Sequence, residues 1–323
     1  MCFKQFSGRT KMKQQILQMG PLLPETMSEL ETTYIVHRYD LVPDKSKLLS
    51  RIAPALCAIA TRGDYLLGED IMRSLPNLKL IASSGAGFDG IDAKAAKAQG
   101  ITVTNTPGIV SECVADLAMA LILTTIRKTL VHDRFVRSGE WRHTKPTLTE
   151  KVWGERIGII GLGGIGKAIA RRATAFRMPV GYYGRQKQET VDFQYFGDLV
   201  KLAHWAKILV VAVPGGSATA GLVSRAVIDA LGPTGVLINV SRGSVIDEPY
   251  LVDALVTRRL AGAGLDVFAD EPNIPERLLE LDTVVLQPHI GSGSNYTRIA
   301  MGQLLLDNLA AFFANRPLLS PTS

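Results

Sequence analysis

Three residue types that together can reduce a carbonyl stand at three separate places in the second half of this chain. Arg242 lies in Asn239-Val-Ser-Arg-Gly243, Glu271 in Asp270-Glu-Pro272, and His289 in Gln287-Pro-His-Ile-Gly291. Each follows a short apolar run that reads as a strand, so each is expected at a strand's carboxyl end, where open parallel sheets bind ligands. Reducing a 2-oxo acid by hydride needs a cation for the carboxylate and carbonyl oxygen, and an acid to protonate that oxygen. Arg242 offers a planar fork of donors. Imidazole titrates near neutral pH, which makes His289 the candidate acid. Glu271 is assigned as the carboxylate that fixes the imidazole tautomer and favours its charged form.

Each of these residues also has a plain structural reading: a solvated arginine, a turn histidine, an Asp-Glu-Pro turn. A second such triplet, Asp247-Glu248-Pro249, precedes a helical segment. Asp247 is expected to cap that helix and Pro249 to fill its first turn, so the triplet is left out of the site. His37, His132, His143 and His204 have no comparable strand-end context.

The apolar run Ile157 to Ile160 leads into Gly161-Leu-Gly163-Gly164-Ile165-Gly166, with a helical segment after it. In that strand-to-helix context Gly161 permits a tight turn, Gly163 admits a pyrophosphate close to the backbone, and Gly166 lets helix and strand pack closely. The helix start adds N–H groups and partial positive charge for phosphates. About 20 residues on, a site for NAD usually places an acid against the ribose hydroxyls. Here the segment reads Tyr182-Tyr183-Gly184-Arg185-Gln186-Lys187, with no acid before Glu189. Arg185 and Lys187 would pair with a 2′-phosphate, so NADPH is the expected cofactor, with NADH as the alternative.

These groups must be positioned by elements, and the pattern supplies them. From Thr33 onward short apolar runs alternate with helix-like stretches, the signature of βαβ units. Runs at Tyr34–His37, Ala55–Ala60, Leu78–Ala82 and Ile101–Thr104 predict a small flavodoxin-like sheet. A second series begins at Arg156 and continues at Val180, Ile208, Gly235, Ala263 and Thr283. Its continuous apolar runs predict a parallel sheet buried on both faces. Between the two, Ser111 is expected to cap a helix carrying Val114, Leu117, Leu121 and Thr125 on one face. Arg127 to Trp153 is polar and mixed, and reads as an arm. A last helix is expected from about Ser294 to Asn315, apolar at Ile299, Leu304, Leu305, Leu309 and Phe312, and stopped by Pro317. Met1 to Lys11 carries no pattern, and little structure is expected there.

Composition narrows the class. At 323 residues the chain suits two domains. The net charge of +6 is spread without a basic stripe interleaved with aromatics, which argues against nucleic acid and suits acidic small substrates. Three cysteines without metal-type spacing predict neither a disulfide framework nor a metal site, and point to a reducing, cytoplasmic setting. The longest apolar stretch, Val114 to Ile126, includes Asp116 and is too short to span a bilayer.

In combination and order, Gly161-Leu-Gly-Gly-Ile-Gly166, Asn239-Val-Ser-Arg-Gly243, Gly264-Leu-Asp-Val-Phe268 with Asp270-Glu-Pro272, and Gln287-Pro-His-Ile-Gly-Ser292 resemble the D-isomer-specific 2-hydroxyacid dehydrogenase family, over about Tyr34 to Pro317. The resemblance implies that Arg242, Glu271 and His289 are the catalytic trio and that Asp266 lies near the nicotinamide amide. It places Pro214 and Thr219 in a loop over the cofactor. Ala86 and Gly87, in Ser84-Gly-Ala-Gly-Phe-Asp-Gly90, would hold the substrate carboxylate through their N–H groups, with Arg242. It further implies a Rossmann-type dinucleotide domain, residues 107–291, inserted into a smaller flavodoxin-like substrate domain of residues 1–106 and 292–323. The two domains would close over cofactor and substrate.

The Tyr-Tyr-Gly-Arg segment and the chain length resemble the NADPH-dependent glyoxylate/hydroxypyruvate reductases, which implies a homodimer embraced by the arm, with Trp141 packing in the interface or, as the alternative, reaching the neighbouring site. Hydroxyphenylpyruvate reductases are similar too. An NAD-linked enzyme for phosphoglycerate is disfavoured by a chain ending at Ser323. A non-enzymatic nucleotide-sensing partner of the same fold is the remaining rival. Two departures from the family pattern stand out: Asp116 in place of a glutamate, and Pro214-Gly-Gly-Ser-Ala-Thr219 in place of the commoner cofactor loop. Which 2-oxo acid is reduced does not follow from the residues.

Overall fold

Burial of these alternating apolar runs yields two parallel sheets. Each lies in its own compact unit, Met1–Ile109 with Asn295–Ser323 in one and Val110–Ser294 in the other. The computed structural model describes residues 13–322, so the expectation for Met1 to Lys11 lies outside the described residues.

The first unit contains β1 (Gln15–Met19), β2 (Ile35–Arg38), β3 (Ala58–Arg62), β4 (Leu80–Ser84) and β5 (Thr102–Thr104). All pair in parallel, in the order β2-β1-β3-β4-β5, which is the flavodoxin-like arrangement. Sequence patterning from Thr33 onward did not include β1, yet β1 lies inside the sheet between β2 and β3. Only Ile16, Leu17 and Met19 in it are apolar, and Gln18 is buried too, its amide donating to the Gly20 carbonyl. Two glutamines in five residues hide a strand buried at all but its first residue from an apolar-run criterion. The helix Pro24–Thr33 was likewise not expected. The helix Asn295–Phe313 covers the sheet with Leu305 and Leu309, which share a core with Ile16, Ala58 and Leu80. It also lies flush on the helix Pro24–Thr33, because a Cβ on Gly302 would come within 2.1 Å of Thr26 Oγ1. Ile299, placed on its apolar stripe from sequence, is 54% exposed instead.

The second unit contains β6 (Ile157–Ile160), β7 (Val180–Tyr183), β8 (Gln194–Phe196), β9 (Ile208–Val211), β10 (Val236–Asn239), β11 (Gly262–Leu265) and β12 (Val284–Leu286). The order is β12-β11-β10-β9-β6-β7-β8, parallel throughout. The chain starts in the middle at β6, winds out to β8, then crosses back to β9, so the topological switch lies between β6 and β9. That is a doubly wound, Rossmann-type sheet. β6, β9, β10 and β11 are buried at every residue, as continuous apolar runs require. The short edge strand β8 escaped sequence patterning.

The helix Ser111–Ile126 buries Val114, Leu121 and Thr125 as expected. Its start corrects the sequence reading. Ser111 is the first helical residue, Val110 holds the cap position, and no side chain caps the turn. The Ser111 hydroxyl instead lies over Gly164, 2.8 Å from where a Cβ would stand. The segment read as an arm forms the helix Thr129–Arg137, with no buried residue, and a 3-10 turn at Glu140–Arg142. No helix among the described residues is long and apolar enough to cross a membrane.

Candidate active site

Three successive loops at the carboxyl ends of β10, β11 and β12 carry Arg242, Glu271 and His289. After β10, the buried Asn239 accepts at Oδ1 from both the Ser241 N–H and the Ser241 hydroxyl, 3.0 Å each, and its amide donates to the Arg242 carbonyl at 3.0 Å. This turn fixes the backbone of Arg242, whose Nη1 donates to the Ser241 carbonyl at 2.7 Å. Gly243 is required by close approach, since a Cβ there would meet the Phe268 carbonyl carbon at 1.9 Å. The loops after β10 and β11 therefore touch backbone to backbone.

The Glu271 carboxylate bridges the other two loops. Its Oε1 accepts from the Phe268 N–H at 3.0 Å and its Oε2 meets His289 Nδ1 at 2.6 Å. A carboxylate of this kind offers acceptors, so Nδ1 carries the hydrogen in this contact and Nε2 is the atom left to face a ligand. His289 itself sits at φ 51°, a left-handed conformation uncommon for a side chain of its size. The turn is held from beneath by Asp266. The Asp266 carbonyl accepts from His289 N at 2.8 Å, and its carboxylate accepts from Ile290 N at 2.7 Å and Gly291 N at 2.8 Å. Asp266 is 2% exposed. Burial pushes its carboxyl above the usual range, and the two N–H donors pull against that shift.

The Asp247-Glu248-Pro249 triplet, outside the site by its sequence context, contributes one residue. Asp247 does cap the helix Glu248–Val256, accepting from Tyr250 N, and Pro249 does fill its first turn. Glu248, however, accepts from the Ala269 N–H at 2.9 Å, next to the N–H of Phe268 that Glu271 holds. Two glutamates thus hold adjacent amides of the loop after β11. A sequence window centred on strand ends has no signal for this contact, which spans 21 residues.

The glycine-rich turn follows β6. Gly161 has φ +94°, and a Cβ on Gly166 would lie 2.0 Å from the Gly161 carbonyl oxygen, so helix Gly164–Ala175 can sit this close only with glycine there. Around Gly163, the N-cap of that helix, nothing lies within 4 Å of an added Cβ, and no side chain caps the first turn. Open space at an uncapped helix start, with Gly164, Ile165 and Gly166 in its first turn, fits a pyrophosphate. Beyond β7, Arg185 is exposed with no partner among the described residues, whereas Lys187 pairs with Glu189 at 3.1 Å. Tyr195 donates to the Gly184 carbonyl at 3.2 Å. The loop after β9 is closed by Thr219, whose hydroxyl donates to the Pro214 carbonyl at 2.7 Å.

Ala86 and Gly87 belong to the other unit, in the loop after β4. Asn105 donates to the Ala86 carbonyl at 2.7 Å, and Thr106 holds Gly85 through both main chain and hydroxyl. The carbonyl side of the loop is thereby pinned. Among the described residues no acceptor meets the N–H of Ala86 or Gly87. Two adjacent, unpartnered N–H groups on a pinned loop suit a carboxylate.

Residues 119–291 match the model of the D-isomer specific 2-hydroxyacid dehydrogenase NAD binding domain. The chain is 43% identical over 306 residues to the hydroxyphenylpyruvate reductase of Plectranthus scutellarioides, and 44% identical over 306 residues to glyoxylate/hydroxypyruvate reductase A of Arabidopsis thaliana. Each alignment covers 95% of this chain and 98% of the relative. Among solved structures, the NADPH-dependent glyoxylate/hydroxypyruvate reductase of Sinorhizobium meliloti, in complex with NADP and malonate, is 39% identical with a TM-score of 0.90, covering 96% of this chain and 97% of that one.

Proposed function

Because the chain belongs to the D-isomer specific 2-hydroxyacid dehydrogenase family and is a nicotinamide-dependent oxidoreductase, we propose that it reduces a small 2-oxo acid, glyoxylate or hydroxypyruvate, to the D-2-hydroxy acid with NADPH. The observation that carries the reading is the Glu271–His289 contact, with Arg242 on the loop at the neighbouring strand end. Bound nicotinamide would supply the hydride to C2. The protein's own residues do the rest. The N–H groups of Ala86 and Gly87 hold the substrate carboxylate, and Arg242 neutralises it and polarises the carbonyl oxygen. His289, oriented at Nδ1 by Glu271, passes the proton on Nε2 to that oxygen. Gly161, Gly163, Gly164, Ile165 and Gly166 receive the pyrophosphate, and Gly184, Pro214, Thr219 and Asp266 border the cofactor.

The proposed preference for NADPH rests on Arg185, an exposed cation without a carboxylate partner among the described residues; Lys187 is already neutralised in part by Glu189. The Sinorhizobium meliloti relative was solved in complex with NADP. We further place the protein in the cytoplasm as a homodimer. The compartment rests on the sequence, whose three cysteines lack disulfide- or metal-type spacing, and the dimer on the segment from Arg127 to Trp153, which exposes apolar residues that a second copy would cover.

Initial rates with glyoxylate, hydroxypyruvate and a phenylpyruvate, each with NADPH and NADH, test this reading. Fast NADPH oxidation with the two small acids is expected, and Arg185→Ser should raise the KM for NADPH about tenfold or more while sparing NADH. Equal or better rates with NADH would overturn the cofactor assignment. A preference for the phenylpyruvate would turn the substrate assignment toward the Plectranthus relative's. Binding of NADPH without turnover of any acid would favour a nucleotide-sensing role.

A further inference from the structure

We propose that Arg62 and Asp64 form a donor–acceptor pair that reads a hydroxyl on the carbon next to the substrate's carbonyl, making 3-hydroxy-2-oxo acids the favoured substrates; this rests on the assignment of the loop at Ala86 and Gly87 as the carboxylate holder. Arg62 is the last residue of β3 and pairs in register with Ser84, the last residue of β4, directly before the loop that begins at Gly85. Parallel neighbours lie about 4.8 Å apart, so the Arg62 side chain starts beside the origin of that loop. The next residue closes the gap. A Cβ on Gly63 would stand 1.8 Å from the Gly87 carbonyl oxygen, so the two loops are in main-chain contact and only glycine fits. Gly90 N donates to the Gly63 carbonyl at 2.9 Å and holds the loops together at their far ends.

Within this frame the guanidinium is held in one plane. Arg62 Nε donates to Asp64 Oδ1 at 2.9 Å, and Nη2 donates to Asp64 Oδ2. That bidentate clamp engages one edge of the fork and leaves the Nη1 N–H groups for a ligand. The Arg62 side chain is 35% exposed, so solvent and small molecules reach it. A hydroxyl both donates and accepts. It satisfies an arginine and an aspartate together, whereas a second carboxylate would be repelled by Asp64 and an aryl or methyl group would leave Arg62 without a ligand. The neighbouring residues are polar as well: Asp40 accepts from Gly20 N at 2.6 Å and from the Tyr65 hydroxyl.

Glyoxylate, which has no third carbon, provides the internal control. In Arg62→Leu, kcat/KM for hydroxypyruvate should fall about ten- to a hundredfold, mainly through KM, while the value for glyoxylate stays within about twofold. Asp64→Ala keeps the cation but frees its orientation. It should raise the KM for hydroxypyruvate without changing glyoxylate, which keeps the idea testable if Arg62→Leu does not fold. Parallel losses for both acids, or no loss for either, would overturn the proposal and reduce the pair to a turn clamp. Wild-type protein inactive on both acids would instead overturn the proposed activity, a distinct result.

Discussion

At the residue scale, the proposed chemistry rests on how one carboxylate is shared. Glu271 spends Oε1 on the Phe268 amide and Oε2 on His289 Nδ1, so neither the carboxylate nor the ring can turn without breaking a charge-assisted bond. Glu271→Gln should therefore lower kcat about a hundredfold while leaving the KM for substrate nearly unchanged, because the amide no longer dictates which ring nitrogen holds the hydrogen. His289→Ala should lower kcat at least as much and leave NADPH affinity, measured by fluorescence titration, close to wild type. A near-normal turnover in either variant would remove the acid from the mechanism. Residue types in the three motifs were enough to nominate this trio. The distances among them were not, because Arg242, Glu271 and His289 are far apart in sequence and meet only through strand order.

At the element scale, the turn after β12 depends on a residue that was linked from sequence to the cofactor. Asp266 sits just past β11 and turns both carboxylate oxygens onto the amides of Ile290 and Gly291. Burial holds its carboxyl above the ordinary aspartate value, so the folded state keeps the proton longer than the unfolded chain does. Its contribution to stability is complete below the unfolded value, about 3.9, and is lost as pH rises through the folded value. The stability difference between wild type and Asp266→Asn, from urea unfolding at successive pH values above about 4, should accordingly shrink as pH rises. A difference that grows with pH would contradict the assignment. The same scale shows what pattern reading misses. β1 carries Gln15 and Gln18 yet is enclosed, because a strand between two others can satisfy a buried amide on nearby main chain. Ser111, a preferred cap residue by type, is not a cap, because its hydroxyl is placed against Gly164 by packing between helices Ser111–Ile126 and Gly164–Ala175. These helices are also tied by Glu112, which accepts from Arg171 and Arg172, and by Asp116, which pairs with Arg172.

At the scale of the whole molecule, the apolar surface of the arm needs an explanation. Trp141 is 64% exposed, Leu148 is 97% exposed, and no residue of the helix Thr129–Arg137 is fully buried. Lone exposed apolar residues are ordinary, but a run of them along one segment marks an interaction surface. Sedimentation of the wild-type protein should give a particle of twice the chain mass. Trp141→Ala combined with Leu148→Ser should weaken association by about tenfold or more. A wild-type monomer at micromolar concentration would sink the dimer, and an unchanged dimer in the double variant would move the interface elsewhere.

The sequence by itself determined the parallel α/β class, most of its strands and the candidate chemical groups, while β1, β8 and the helix Pro24–Thr33 carried too little apolar pattern to be read. Short continuous apolar runs bounded by turn residues predict strands buried on both faces, glycines at Gly161 and Gly166 admit a helix-to-strand approach that a Cβ would block, and the strand-end residues supply a candidate acid, its carboxylate and a cation. Tertiary structure alone decided which polar atoms those groups spend on one another. Glu248 on Ala269, Asp266 on the turn that carries His289, and Arg62 beside the Ala86 loop are contacts between segments that adjoin only after the sheets close. Periodicity reports which face of an element is apolar; it carries no information on which distant amide a given carboxylate will reach, because that is set by strand order and register.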